Sequence, residues 1–393
     1  MLHLSTYTSG GAGRAALRLH NAMSDFGVDS TIWSGSGARF RIAGQLERRL
    51  SNFQNSSWLT WRSIGRFASE RAKRINASAA DVVNLHWVTG GFLSIEEIAA
   101  IEKPLVWTMH DMWPFTGTEH YAPEAPEPTR WQEGYTPSNR LPGESGPDLD
   151  RWTWERKRRQ WTTPMHFVPV SNWLAEATRK SSFASWSLTR IPNVMDTETF
   201  TTGSQQAARH ALHLPDTPLI AFTSSSGISD ERKGWHLLQQ ALPYVKKRFP
   251  DATVMVIGQG NQADQAKVTE DIMWMGQVDE ESMMAQLLQA ADVVAVPSTA
   301  DNLPMTACEA QCVGRAVVAF NTGGLPDTVE HLATGYLAQA FDVAEYAEGL
   351  IMAIEDARGQ NHWGQRARER AEHLWSPRSV VDQYLKVYEQ VLR

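Results

Sequence analysis

Asp301-Asn302-Leu303-Pro304-Met305-Thr306-Ala307-Cys308-Glu309-Ala310-Gln311-Cys312-Val313-Gly314 is the stretch whose reading decides the fold. It follows the apolar run Val293-Val294-Ala295-Val296, closed by Pro297, which reads as a buried parallel strand. Asn302 is a good helix N-cap, Pro304 suits a first turn, and Gly314 is a plausible stop. The expectation is a strand, a loop, then a helix of about ten residues. The amides of Met305 and Thr306 would precede the first intrahelical bonds at the positive end of the macrodipole, an end that suits phosphate. Glu309 lies about one turn further in, a turn being about 3.6 residues. A carboxylate there can accept from two neighbouring hydroxyls, as on a ribose. Asp301 sits outside the helix, where it is expected to be free to reach another polyol. The plainer reading is a Pro-started helix on an ordinary α/β sheet, with Asp301 a solvated loop acid.

These residues resemble the acidic-x7-acidic signature of family 4 glycosyltransferases, with Asp301 and Glu309 as the two acids. Gly314 and Val317-Val318-Ala319 match the end of that pattern, and Asn302-Leu303-Pro304-Met305 replaces its Gly-Phe-Gly-Leu. The Asp-Asn-Leu-Pro variant is similar to exopolysaccharide glycosyltransferases of the colanic-acid type. The fold this implies is GT-B: α/β, two Rossmann-like domains facing a cleft.

At 393 residues the chain is too long for one ordinary core, so two domains are expected. No apolar run approaches the roughly 20 residues that span a bilayer. Met1-Leu2-His3-Leu4 lacks the basic start of a signal peptide and reads as a first strand. Cys308 and Cys312 are too few for a structural zinc site and read as buried thiols, which fits a cytoplasmic protein. Charge is uneven: residues 1–195 carry 22 basic and 18 acidic side chains, net +4, and residues 196–393 carry 15 and 26, net −11. Such a split suggests two bodies with different partners.

Along the first half, Ser9-Gly10-Gly11-Ala12-Gly13-Arg14 reads as a glycine loop between a strand and a helix from Ala15 to Met23. It lacks the full G-x-G-x-x-G spacing, which disfavours an NAD oxidoreductase. Gly11 and Gly13 are candidate ligand-approach positions, or simply a tight turn. Residues 39–74 are basic and helical in composition. A solvated face is the commoner explanation, and contact with anionic lipid is the alternative. The runs ending at His86 and His110 read as strands that place both histidines in the ligand crevice of a doubly wound sheet. His110-Asp111-Met112-Trp113-Pro114-Phe115-Thr116-Gly117 resembles the H-D-x-W-x-F-T-G of the exopolysaccharide subgroup, which implies that His110 lies near donor sugar and acceptor. The plain alternative is a pair of capping histidines.

Residues 119–161 read as an irregular insertion. Its tryptophans either stack on sugars or pack against each other, and its Arg/Trp end is a candidate membrane contact. Relatives often carry cysteines here in what looks like a metal knuckle, and this chain has none. In the second half, Asp230-Glu231-Arg232-Lys233-Gly234 resembles the family's diphosphate clamp, with Gly227 where another arginine is common. Two cations beside the glycine loop Ser224–Gly227 neutralise a leaving diphosphate without a metal. Gly258 and Gly260 close the next strand. The last helix, 377–392, has apolar residues at helical spacing.

The resemblance therefore implies an N-terminal acceptor-binding domain (1–200), a C-terminal nucleotide-sugar-binding domain (201–375), and a helix (376–393) crossing back. It implies a retaining, metal-independent hexosyltransferase serving polysaccharide or glycoconjugate biosynthesis. The donor is a UDP- or GDP-linked sugar, with no separate cofactor, and the acceptor is a glycan, a lipid-linked glycan or a small molecule. Catalytic roles fall to His110, Asp301 and Lys233. Donor binding falls to Gly11, Gly13, Arg232, Lys233, Met305, Thr306 and Glu309. No nucleic acid is expected, and the location is cytoplasmic or peripheral at the inner face of a membrane. A sugar-nucleotide epimerase and a non-catalytic partner in a polysaccharide assembly complex are the alternatives.

Overall fold

Strand and helix signals alternate along the whole chain, and alternating βα units build parallel sheets. The computed structural model describes residues 1–56, 60–67, 71–123, 129–224, 227–259 and 271–393. Ser225 and Ser226, read above as loop residues, and Gly260, read as the end of a strand, lie outside them. The chain divides into two units, Met1–Ile191 with Val381–Arg393, and Pro192–Val380. The expected boundaries were residues 200 and 376.

The first unit holds a sheet of five parallel strands, β1 (Leu2–Ser5), β2 (Thr31–Ser34), β3 (Val83–Leu85), β4 (Leu105–Met109) and β5 (His166–Pro169), in the order β2-β1-β3-β4-β5. The central strands are buried on both faces, as parallel strands are, with His3, Asn84 and Thr108 as polar residues among the apolar ones. The first helix spans Gly10–Asp25 with Ser9 at its N-cap, so it starts five residues before the expected Ala15. The glycines of the supposed loop are its first turn. Gly13 is needed there, because a Cβ would sit 2.6 Å from the Tyr7 carbonyl oxygen.

The insertion is more regular than its composition suggests, with helices Arg130–Glu133 and Leu149–Gln160. Trp131, Trp154 and Trp161 are buried in the core with Trp107 and Trp113, so they pack rather than stack on sugars. The basic run is also corrected. Arg156 pairs with Glu96 at 2.7 Å, and fully buried Lys157 donates to the carbonyls of Trp113, Thr116 and Gly117. Its ammonium also lies 3.8 Å from the Trp113 ring centroid. Those two side chains are unavailable to a membrane. Among the described residues of 39–74, helix is found at Gly37–Ser51 and Ala72–Asn76. Arg62 turns inward to Asp150 at 2.7 Å.

The second unit holds six parallel strands, β6 (Leu219–Ser224), β7 (Thr253–Gly258), β8 (Ile272–Gly276), β9 (Val293–Val296), β10 (Ala316–Phe320) and β11 (Gly335–Ala338), in the order β11-β10-β9-β6-β7-β8. Its core joins Ile220, Phe222, Val254, Val318 and Phe320 to Leu238, Tyr346 and Leu350 on flanking helices. In both sheets the strand order reverses between neighbours on either side of a first strand, β1 or β6, and ligands bind at the carboxyl ends of strands beside such a switch point.

Candidate functional site

In the second unit, β6 and β9 are hydrogen-bonded neighbours, and the loop Pro297–Pro304 leaves the carboxyl end of β9. The motif helix is Met305–Cys312, eight residues rather than about ten. Its N-cap is Pro304, not Asn302, whose side chain is buried within the loop. Proline φ, here −63°, fits the cap, and the loop is tied elsewhere: Gly324 N donates to Asp301 O at 2.9 Å. Gly314, with φ +72° and its amide bonded to Gln311 O, closes the helix as expected. Ala307 N makes the first return bond, to Pro304 O at 3.0 Å, so the Met305 and Thr306 amides precede the helical ladder. Thr306 Oγ1 lies 2.6 Å from Thr223 Oγ1 at the end of β6, a partner that its sequence gave no means of finding.

Asp301 is not the solvated acid of the plain reading, nor is it free. It is buried, and its Oδ2 accepts from Lys233 Nζ at 2.6 Å, with Arg232 Nη1 at 3.7 Å. Burial would push its carboxyl upward, but the Lys233 ammonium and Arg232 guanidinium hold it below the ordinary aspartate range. Arg232 also donates to Ala300 O at 3.1 Å and pairs with Asp230 at 3.2 Å. Gly234 follows in the left-handed region, φ +72°, with its Cβ position 1.8 Å from Pro297 O. Glycine thus lets the Arg232-Lys233 turn lie against the loop that carries Asp301. Glu309 is buried on the motif helix, one turn beyond Met305. The structure therefore brings Arg232, Lys233, Asp301, Met305, Thr306 and Glu309 into one neighbourhood: two cations, a helix N-terminus and a buried carboxylate.

In the first unit, His110 follows β4 and His86 follows β3. His86 Nδ1 lies 3.1 Å from His110 Nε2, and His86 Nε2 lies 3.0 Å from His3 Nδ1. Burial pushes His110 down to about 4, opposed by nearby Asp111, and pushes His3 down to about 3. All three rings stay neutral near pH 7. Asp111 organises the following turn. It accepts from Trp113 N at 3.0 Å and Trp87 Nε1 at 3.0 Å, and lies 2.5 Å from His120 Nδ1. His120 Nε2 in turn meets Ser63 Oγ at 2.9 Å. Ser63, His120 and Asp111 reproduce the spacing of a hydrolytic triad, but Ser63 has no exposed surface, so the set is a tether rather than a nucleophile. His3 and His120 were not singled out in the sequence, because neither stands in a motif. Gly11 has open space at its Cβ position, whereas Gly13 serves a backbone contact. Among the described residues no group of three His, Cys, Asp or Glu is arranged to hold a metal, and no helix is long and apolar enough to cross a membrane.

Residues 205–370 match the family Glycosyl transferases group 1, and residues 9–199 match Glycosyltransferase Family 4. The chain is 30% identical over 214 residues to a GDP-mannose-dependent monoacylated alpha-(1-6)-phosphatidylinositol monomannoside mannosyltransferase of Corynebacterium glutamicum, covering 50% of this chain and 55% of that one. It is 26% identical over 315 residues to a D-inositol 3-phosphate glycosyltransferase of Paenarthrobacter aurescens, covering 77% and 71%. Against several such relatives the chain spans about half of their length or less. In fold it is similar to Anabaena Alr3699/HepE, solved in complex with UDP and glucose, with TM-score 0.66 and 17% identity over 99% and 98% of the two chains. It is also similar to sucrose-phosphate synthase from Thermosynechococcus elongatus, with TM-score 0.69 and 15% identity over 99% and 98%. The two parallel-sheet α/β units are thus the expected fold class, and with family matches reaching from residue 9 to residue 370 the chain belongs to the group 1 glycosyl transferases of Glycosyltransferase Family 4.

Proposed function

We propose that the protein transfers a hexosyl group from a nucleotide sugar to a glycan or lipid-linked acceptor, with retention and without a metal ion. The observation that carries this is the Lys233–Asp301 pair at 2.6 Å beside the N-terminus of the motif helix. Lys233, Arg232 and the Met305 and Thr306 amides offer positive charge to a diphosphate whose own charge grows as the glycosidic bond breaks. Asp301 holds Lys233 in place, which replaces the reach to a second polyol expected from the sequence. Glu309 supplies an acceptor for ribose hydroxyls. His110 belongs to the acceptor side of the reaction. The family matches support the reaction class. UDP in one solved neighbour and GDP-mannose in one relative's name support a UDP- or GDP-linked donor.

A stability screen with UDP-, GDP- and ADP-sugars tests the reading. The right donor, at a hundred times its dissociation constant, adds about 2.7 kcal/mol. His110→Ala then lowers turnover while nucleoside diphosphate affinity stays within a few-fold. Absence of any nucleotide binding favours a non-catalytic assembly partner. Release of an altered nucleotide sugar without acceptor favours an epimerase. Loss of activity with EDTA, restored by magnesium, sinks the metal-free mechanism.

A peripheral membrane location rests on one feature. The helix Gly37–Ser51 and the residues after it expose Ile42 (57%), Leu46 (39%) and Phe53 (66%) beside exposed Arg41, Arg48 and Arg49. Such a face suits an anionic lipid surface. Sedimentation with phosphatidylglycerol vesicles, lost in Ile42→Glu, is the expected result, and equal pelleting with and without vesicles refutes it.

A further inference from the structure

His3, His86 and His110 form an unbroken line of three buried imidazoles joined by hydrogen bonds of 3.0 and 3.1 Å. A neutral imidazole has one N–H and one bare nitrogen. Each of the two bonds needs one proton between its nitrogens, neither two nor none. With His86 using both nitrogens, its own proton decides both neighbours. If the His86 proton is on Nε2, it points at His3 Nδ1, so His3 carries its proton on Nε2 and His110 donates from Nε2. If it is on Nδ1, His3 donates from Nδ1 and His110 carries its proton on Nδ1. Mixed orders place two bare nitrogens or two N–H groups against each other. The burial that pushes His3 to about 3 and His110 to about 4 keeps the line uncharged at neutral pH, so these are the two orders available.

The inner end selects between them. Among the described residues, His3 Nε2 is buried with no hydrogen-bond partner. The first order strands an N–H there, and the second strands only a lone pair. Orphaned buried donors are the rarer of the two in folded proteins. We propose that all three rings carry their proton on Nδ1, and that His86 and His3 are positioning residues which fix His110 as a neutral donor through Nδ1. The assignment reaches two residues beyond the motif, one of them 107 positions from His110. Its bearing on catalysis rests on the reading of His110 given above.

Long-range proton–nitrogen correlation spectra of histidine-labelled wild-type protein at pH 7.5 test the order directly. The expected result is a protonated Nδ1 and a bare Nε2 on each of the three rings. A bare Nδ1 on any of them overturns the proposal, and this measurement needs no variant to fold. His3→Phe then removes the inner anchor without touching His110. It is expected to shift the His110 tautomer balance and to lower kcat by roughly tenfold at unchanged donor KM, about 1.4 kcal/mol. His3→Asn, whose amide replaces Nδ1, restores both. A His110 spectrum and kcat unmoved by His3→Phe overturn the positioning role. If the proton order holds and His110→Ala turns over normally, the role of His110 in transfer fails instead, and the order of the line stands.

Discussion

Lys233 and Asp301 are 68 positions apart in sequence and 2.6 Å apart in space. Sequence motifs name each of them, but separately, because spacing along a chain says nothing about which loops meet. The pairing has a measurable consequence. Asp301→Asn and Lys233→Ala are expected to be strongly non-additive in kcat/KM, with a coupling of about 0.5–3 kcal/mol. Simple addition of the two effects counts against Asp301 as the holder of Lys233. A second residue was legible only as part of an irregular insertion. Glu119 is buried beside Asp150, and burial, then the Asp150 charge, push its carboxyl up to about 8. Folded protein therefore keeps a proton on Glu119 that the unfolded chain releases above about 4.3. Its contribution is present below that value and is lost as pH rises toward 8. Glu119→Gln mimics the protonated form, so its urea midpoint relative to wild type should rise between pH 5 and pH 8. A constant difference refutes this.

At the scale of elements, the strands and the motif helix were readable because apolar runs and caps are local signals. Boundaries were less so. Asn302 has the chemistry of an N-cap, yet the loop's backbone bond from Gly324 N to Asp301 O leaves that place to Pro304. The glycines at 10–13 suggested a loop, yet helical backbone tolerates them when one, Gly13, permits contact with Tyr7. The run Arg156-Lys157-Arg158-Arg159 reads as a charged face, but only Arg158 and Arg159 of the four are exposed. Helical period separates the two pairs, while the destination of the inward pair depends on residues 40 to 92 positions away. The turn at Gly234 offers the sharpest test of how elements position the site. Gly234→Ala adds a Cβ 1.8 Å from Pro297 O at positive φ. It should cost more than about 1 kcal/mol and weaken donor binding together with stability. A variant of wild-type stability and donor KM contradicts this reading of the turn.

Across the whole molecule, each unit has its own sheet and core, and chain order does not follow them strictly. Val381–Arg393 belongs with the first unit. There Tyr384 OH meets Thr108 Oγ1 at 2.9 Å, and Tyr388 OH accepts from Asn84 Nδ2 at 2.9 Å, at the level of β3 and β4. Periodicity alone marked these tyrosines as apolar-face residues, and their hydroxyl partners lie about 300 positions away in the case of Asn84. Deleting residues 381–393 should therefore lower the melting temperature of the first unit, read by the buried-tryptophan fluorescence it dominates, while nucleotide binding to the second unit survives. Equal loss in both would mean that the units do not stand separately.

Lys157 has a consequence for how the insertion can change over generations. One ammonium serves the carbonyls of Trp113, Thr116 and Gly117 at once. Replacing it by any aliphatic residue strands all three together, so there is no series of single neutral steps away from it. The loop before the insertion and the helix within it must drift as a linked pair, or not at all.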